Sequence, residues 1–487
     1  MKEKAQIVNP ILYVLPDLME LTDFLNGIRN LCLAGYFPLS FFGTARQEML
    51  CGMAMAGKEP ILLRCLFPQD MQYQSLSMEF PAFHLFEREL WEEFGIKPLG
   101  HPWLKPVRFP LGSQQGMEHY PFFSSESSAH HEVGVGPVHA GVIEPGHFRF
   151  ICHGERIEHL EIQLGYQHRG IMSLIAQGDI RQKMPLAESI AGDTAIGHGL
   201  AYCSAVESLC NVSVPPALQT VRLVALELER IAMHLADLSA LAGDIAYLSG
   251  QNFFAALRTT IINSSLAICG SRFGKRWLKP GGINYGISKE QNSILRSTLE
   301  EAGCQIERCT RAMFADAGVL NRFDSTGSIS KKAAIELNFS GVTAKASGLG
   351  IDARCDFPLI GYDEFNPLIL DTGDVFARAS IRAKEIEQSL DMIAHMLSTL
   401  PSVSAEDSVP LPPPIPDKLC IAITEGWRGR IVHVLKTDSE GGTEFYRVID
   451  PSLHNWFALA LAVRNEGISD FPLCNKSFDL SYCGTDL

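Results

Sequence analysis

Apolar positions recur every three to four residues through the middle of the chain, over 184–211, 216–248, 252–269, 288–317, 329–346 and 374–399. That period places apolar side chains along one helix face, so the six stretches predict a large helical bundle. Upstream, residues 18–35 (LMELTDFLNGIRNLCLAG) and 83–96 (FHLFERELWEEFGI) read as helices closed by Gly35 and Gly95, with the apolar run 61–67 (ILLRCLF) as a strand between them. Prolines and a glycine in HPWLKPVRFPLG stop both kinds of element, and residues 111–133 are polar, Ser-rich and His-rich, as expected of a linker. From 134 to 166, β-branched and aromatic residues broken by Gly and Pro predict short antiparallel strands. A Pro-rich break at 400–418 precedes strands at 419–425 and 430–436, a turn at SEGGTE and a helix at 453–466.

The pattern predicts an α+β fold. An N-terminal α/β domain (1–115) and a linker (116–133) lead into a second unit (134–487) with a small β-rich entry, a mainly helical bundle and a C-terminal α/β segment. A chain of 487 residues has room for about three domains' worth of structure. Apolar residues make up 46% and charged residues 20%, enough for a large core. The net charge, 41 − 55 = −14, argues against a general nucleic-acid binder, which neutralises phosphate with Lys and Arg. No apolar run approaches the length of a membrane span, and the N-terminus lacks the apolar core of a signal peptide. Thirteen scattered cysteines without a single C-x-x-C fit reduced thiols in a cytosolic compartment.

Candidate chemistry narrows from there. There is no P-loop, and GVGPVHAG (134–141) has the wrong glycine spacing for a dinucleotide fingerprint. Eight of the fifteen histidines lie between His119 and His168, but none stands in H-x-x-x-H or H-E-x-x-H on a predicted helix, so they read as loop and strand residues rather than metal ligands. One stripe stands out. Glu227, Arg230, His234 and Asp237 share a face of an otherwise aliphatic helix, at spacings of three, four and three. Buried titratable groups must pair or shift their pKa. The stripe is either a proton relay leading from a buried cavity, or a structural ion-pair ladder, or the one wet face of the helix.

Two sets of motifs carry a family resemblance. Glu87, Arg88, Glu89, Phe94, Gly95, Ile96, Gly100, His101 and Pro102 match the signature of the 30 kDa subunit of respiratory complex I (NADH:quinone oxidoreductase). Read without a family, the same string is an acidic amphipathic helix able to face a basic partner or simply water. Further on, GPVHAGVIEPGHF (136–148), LGYQHRGI (164–171), ELERIAMHLADLSALAGDIAY (227–247), KPGGI (279–283), GIDARCDFP (350–358), EGWRG (425–429) and DPSLHNW (450–456) resemble, in order, the 49 kDa subunit of complex I. They equally resemble the large subunit of energy-converting nickel–iron hydrogenases of the hydrogenase-4 and formate hydrogenlyase type.

That resemblance implies an oxidoreductase subunit with a departure at its centre. The family's four metal-ligand cysteines fall at Ala191 and Thr194 in ESIAGDT (188–194) and at Ser481 and Gly484 in DLSYCG (479–484), with Cys483 one residue off. Nickel and iron need soft thiolates. The expectation is therefore no nickel–iron centre and no metal or other cofactor on this chain. Of the family's quinone partners, the second histidine of the loop falls at Ile143 and the tyrosine near Gly192. His139 matches the first histidine of the loop, Glu144 a proton-relaying glutamate of the hydrogenase branch, and Arg428 a pocket arginine; with Asp193 these are the candidate catalytic residues. The resemblance further implies a peripheral position on the cytoplasmic side of the inner or plasma membrane. Electrons would come from a [4Fe–4S] cluster in an iron–sulfur small subunit and pass to a quinone or another acceptor, with integral membrane subunits translocating ions. The alternative is a non-catalytic scaffold that serves assembly and conformational coupling.

Overall fold

The structure, a computed structural model, describes residues 9–110, 116–358, 362 and 365–487; residues 1–8 and 111–115 of the predicted N-terminal unit lie outside it. Strand β1 (Ile11–Tyr13) leads to helix α1 (Leu21–Leu33), an antiparallel meander β2 (Phe37–Gly43), β3 (Glu48–Ala54) and β4 (Ile61–Leu66), and helix α2 (His84–Phe94). Gly95 closes α2 in the left-handed conformation expected of it, at φ 74°. A second meander, β5 (His131–Val135), β6 (His147–His153) and β7 (Arg156–Gln163), forms the β-rich entry.

The bundle follows: α3 (Ala195–Leu209), α4 (Pro216–Asp244), α5 (Leu248–Cys269), α6 (Lys289–Ala315), the one-and-a-half-turn α7 (Gly341–Ala346) and the long α8 (Val375–Thr399). Strands β8 (Leu419–Glu425), β9 (Arg430–Thr437) and β10 (Thr443–Ile449) then precede α9 (Pro451–Ala462), α10 (Phe471–Phe478) and α11 (Tyr482–Asp486). The fold is α+β. Among the described residues no helix is long and apolar enough to cross a membrane.

The two ends of the chain meet in one sheet, ordered β1-β8-β9-β10, with Ile11 opposite Ile421. One core therefore runs from Phe24, Phe41 and Phe83 of the N-terminal unit to Leu419, Ile423 and Val434 of the C-terminal strands. Helix α4 is the central pillar. Leu223, Leu228, Ile231, Leu235 and Leu238 are all buried along it, and each such side chain contributes about 1.5–3 kcal/mol by leaving water.

Three expectations change. The helix predicted over 184–211 breaks after Ala187 and resumes at Ala195. Residues 188–194 leave the helix, and the buried first-turn N–H groups of Ile196 and Gly197, which have no partner within the helix, bind the Glu229 carboxylate at 2.7 and 3.0 Å. The helix predicted over 329–346 splits into Lys331–Glu336 and α7, because Gly341 adopts φ 62° where a Cβ would lie 2.1 Å from the Arg428 carbonyl. Strands β2, β3 and β10 were not anticipated. The first two are buried on both faces, so apolar and polar residues do not alternate.

Candidate functional site

Strands β8 and β9 pair up to Glu425–Arg430, and Gly426 and Gly429 exchange two backbone hydrogen bonds, so Trp427 and Arg428 form a two-residue hairpin tip. That tip meets the 188–194 break. Arg428 donates from Nη1 to Asp193 Oδ1 at 2.6 Å and to Thr194 Oγ1 at 3.2 Å, and from Nη2 to Asp193 Oδ2 at 2.8 Å. Its Nε donates to the carbonyl of Asp479, and the Trp427 ring stacks 3.9 Å beneath it. Trp427 Nε1 in turn donates to the Asp193 carbonyl and to Thr194 Oγ1, both at 3.1 Å. Burial alone would raise Asp193, but the guanidinium overcomes it and holds the carboxyl below its ordinary range.

The second segment, 479–484, which runs into the start of α11, closes on the first. Burial, reinforced by the Glu144 charge beside it, pushes the Cys483 thiol up to about 11, and the backbone of Gly192 reaches the same thiol. Ala191, Thr194, Ser481 and Gly484 are thus brought into one neighbourhood with Glu144, Asp193 and Arg428. His139 joins through its loop and not its ring: Nε2 lies 2.8 Å from the Gly146 carbonyl, holding the 137–146 turn closed. Gly192 is exposed and a Cβ there would meet nothing within 4 Å, so the site opens outward at that point. Gly484 is the opposite case, since a Cβ would lie 2.7 Å from Asp450 Oδ2. Among the described residues no three His, Cys, Asp or Glu side chains are placed to hold a metal ion.

Behind this constellation lies a buried ionic network built on the α4 stripe. Glu227, Arg230, His234 and Asp237 are each at most 2% exposed. Arg230 bonds Glu227 at 2.9 Å and reaches the hairpin through the carbonyls of Glu425 (2.7 Å) and Gly426 (3.0 Å). His234 Nε2 lies 2.8 Å from Glu385 Oε2 on α8, and Arg382 of α8 grips Asp237. Lys345 of α7 sits 2.6 Å from both Asp352 and Glu385 and 3.5 Å from Glu425. Arg354 completes the set at 2.8 Å from Asp352 and 3.5 Å from Glu227.

The charges balance. Arg230, Lys345, Arg354 and Arg382 face Glu227, Asp237, Asp352 and Glu385, four against four. Three further groups are pushed toward neutrality. Burial lowers His234 to about 4, burial with the Asp352 charge raises Glu425 to about 7, and burial with the Asp237 carboxylate raises Asp479 well above its ordinary range. The stripe is therefore an ion-pair ladder in its geometry, with a neutral His234 within it and Glu425 and Asp479 beside it as the groups that favour holding a proton.

The acidic helix α2 binds its own chain. Glu87 is fully buried and accepts from Ser75 Oγ at 2.6 Å, Leu76 N at 2.8 Å and Ser77. Glu92 caps the backbone N–H groups of Val107, Arg108 and Phe109, and Glu93 pairs with Arg447 at 2.7 Å. Sequence reasoning missed Lys345, Glu385 and Asp479. A lysine inside the small, apolar run GVTAKASG was the one available signal for the first.

Comparison with known proteins matches two separate stretches of the chain to subunits of one complex. Residues 40–126 match the family described as respiratory-chain NADH dehydrogenase, 30 Kd subunit, and residues 244–415 match respiratory-chain NADH dehydrogenase, 49 Kd subunit. The chain is similar to the carbon monoxide-induced hydrogenase of Rhodospirillum rubrum, at 28% identity over 71% of this chain and 96% of the relative. It is also similar to hydrogenase-4 component G of Escherichia coli, at 26% identity over 93% of this chain and 84% of the relative. In fold it resembles a chain of the archaeal membrane-bound sulfane sulfur reductase, a respiratory membrane complex, with a TM-score of 0.69 at 22% identity, covering 75% of this chain and all of that one.

Proposed function

This chain belongs to the family in which 30 kDa- and 49 kDa-type complex I subunits are fused, a family shared with subunits of membrane-bound hydrogenases, and on that premise we propose that it is the large subunit of a membrane-associated oxidoreductase. Electrons arrive from a [4Fe–4S] cluster in a small iron–sulfur subunit packed over the 188–194 and 479–484 segments. They pass to a quinone or another acceptor at the Arg428–Asp193 constellation, and integral membrane subunits couple the transfer to ion movement. The chain sits peripherally on the cytoplasmic face.

One observation carries this reading. A permanently charged guanidinium is fixed at the meeting point of the two segments, with a buried network of balanced charges directly behind it. Negative charge developing on an acceptor there is stabilised by Arg428, an effect worth about 3 kcal/mol for one well-placed donor. The network behind it can pass a change of charge or protonation toward α8.

A nickel–iron centre does not fit these residues. Alanine and glycine at 191 and 484 offer no ligand atom, hydroxyls at 194 and 481 are poor nickel ligands, and Asp450 occupies the space that a side chain at 484 would enter. The scaffold reading also has an observation in its favour, since Asp193, Thr194 and the Asp479 carbonyl already occupy much of the Arg428 fork.

Purification of the tagged chain from detergent-solubilised membranes tests the proposal. Iron and acid-labile sulfide should co-purify in cluster stoichiometry, and a short-chain quinone should reoxidise the reduced cluster. A complex without a cluster, or a cluster that no quinone or sulfur acceptor reoxidises, leaves only the scaffold role.

A further inference from the structure

A line of four hydrogen-bonded side chains runs through the C-terminal sheet, apart from the α4 network. The Tyr446 hydroxyl on β10 lies 2.6 Å from His433 Nδ1 on β9. His433 Nε2 lies 3.1 Å from His198 Nδ1 on α3, and His198 Nε2 lies 3.0 Å from Asp450 Oδ2 at the start of α9. All four residues are at most 5% exposed, and the two imidazoles stack at 29°. Four elements thus contribute one group each to an unbranched chain. Its two ends differ. Tyr446 lines a groove of about 420 Å³ between α2 and β10, which Glu92, His168 and Ser173 also line. Asp450 Oδ2 stands beside Gly484 and Ser481 at the site.

We infer that Tyr446, His433, His198 and Asp450 form a proton wire joining this groove to the start of α11, where Ser481 and Gly484 lie. The destination as a redox site rests on the function proposed above; the wire itself does not.

The donor bookkeeping permits only two arrangements with neutral rings. In one, the tyrosine O–H donates to His433 Nδ1, the His433 Nε2–H donates to His198 Nδ1, and the His198 Nε2–H donates to the Asp450 carboxylate. In the other, every bond points the opposite way. A proton delivered to the Tyr446 oxygen from the groove side, where the residue is only 2% exposed, drives the change. The phenolic proton moves to His433 Nδ1, the Nε2 proton of His433 moves to His198 Nδ1, and the Nε2 proton of His198 moves to Asp450. One proton has entered at the groove, one has reached Asp450, and each hydrogen bond is kept with its direction reversed. No imidazolium is required, which suits His433, whose burial disfavours the charged form. The Ser452 N–H, 2.7 Å from Asp450 Oδ1, holds the receiving carboxylate in place throughout. Burial would raise Asp450, but His198 and the nearby Arg428 charge hold its carboxyl below the ordinary range, so it passes the proton on toward Ser481 rather than storing it.

Hydrogen exchange of the imidazole N–H groups in the full-length, ¹⁵N-histidine-labelled chain tests the wire without turnover. The ring protons of His198 and His433 should exchange with water far faster than the backbone amides of β9 that surround them. Tyr446→Phe, which keeps the ring and removes the hydroxyl, should slow that exchange by about a hundredfold, as loss of a proton-transfer partner does. Asp450→Asn should do the same, because an amide oxygen accepts from His198 but cannot take up its proton; it also serves if Tyr446→Phe fails to fold. Ring exchange no faster than the β9 amides, or unchanged in both variants, overturns the wire. Loss of the proposed redox function would be read separately, from turnover of the assembled complex.

Discussion

Arg428 holds Asp193 with both arms of its guanidinium, at 2.6 and 2.8 Å, across 235 residues of sequence. The pair locks the hairpin tip between β8 and β9 to the loop before α3. Arginine can do this because its donors form a planar fork, which a lysine ammonium lacks.

Arg428→Lys should keep the charge and lose the bidentate geometry. The lost charge-assisted bonds are worth about 1.5–3 kcal/mol. If Arg428 stabilises an acceptor, complex assembly stays intact while turnover falls at least about tenfold. Failed assembly, followed by size-exclusion chromatography, assigns it to scaffolding instead; full assembly with full turnover removes it from the site.

Lys345→Met should be strongly destabilising. It leaves Asp352, Glu385 and Glu425 buried around a missing cation. Breaking a buried ion pair costs about 3–5 kcal/mol, so the midpoint of urea unfolding should fall accordingly. A loss under 1 kcal/mol, the range of surface pairs, would mean the network is far wetter than its burial indicates.

Glu425 sets a pH dependence of known sign. In the folded chain it keeps its proton to about pH 7, whereas in the unfolded chain it loses it near the ordinary carboxylate value of 4.5. Its contribution to stability is fully present below pH 4.5 and is lost as pH rises to 7, a change on the order of 3 kcal/mol. Lys345, Asp352, Arg354 and Arg430 are the charges that face it. In Glu425→Gln this component should vanish, and denaturation curves of the two proteins between pH 4.5 and 7 would reveal a constant offset if the assignment were wrong.

Glu87→Ala should destabilise the N-terminal unit by about 3 kcal/mol, because it strands the donors of Ser75, Leu76 and Ser77 inside the protein. Thermal unfolding provides the measurement. Capture of a basic partner by wild-type chain but not by this variant, at unchanged stability, would contradict the internal role of α2.

Elemental analysis of tag-free protein should find no stoichiometric nickel. One nickel per chain would require ligands outside the 191, 194, 481 and 484 positions and would undo the reading of the site.

Much of the architecture was legible in the residues. The 3.6-residue period located α4, α5, α6 and α8 to within four residues at each end, and β-branched and aromatic residues broken by Gly and Pro located the β-rich entry. The ordered motifs identified the family, and the absence of C-x-x-C was visible without any coordinates. Strands β2 and β3 were hidden because strands buried on both sides lose the alternation that marks a half-exposed one.

What the sequence determined by itself was local: where most of the helices lie, which side of α4 carries charge, and that no C-x-x-C is present. What only the tertiary structure decided was the partnership of those charges. Whether Glu227 and Arg230 faced water or one another's counterions depended on α7 delivering Lys345 and α8 delivering Glu385 to the same point. Glu92 of α2 turned inward because the 107–109 backbone folds back over it, and Glu87 because residues 75–77 do the same. Tyr446, His433, His198 and Asp450 make a single line only because a hairpin, a helix and a helix start converge on one core. Period and propensity act over a few residues, whereas a buried charge or proton path is defined by groups hundreds of residues apart, and their low-dielectric surroundings exist only once the chain is packed.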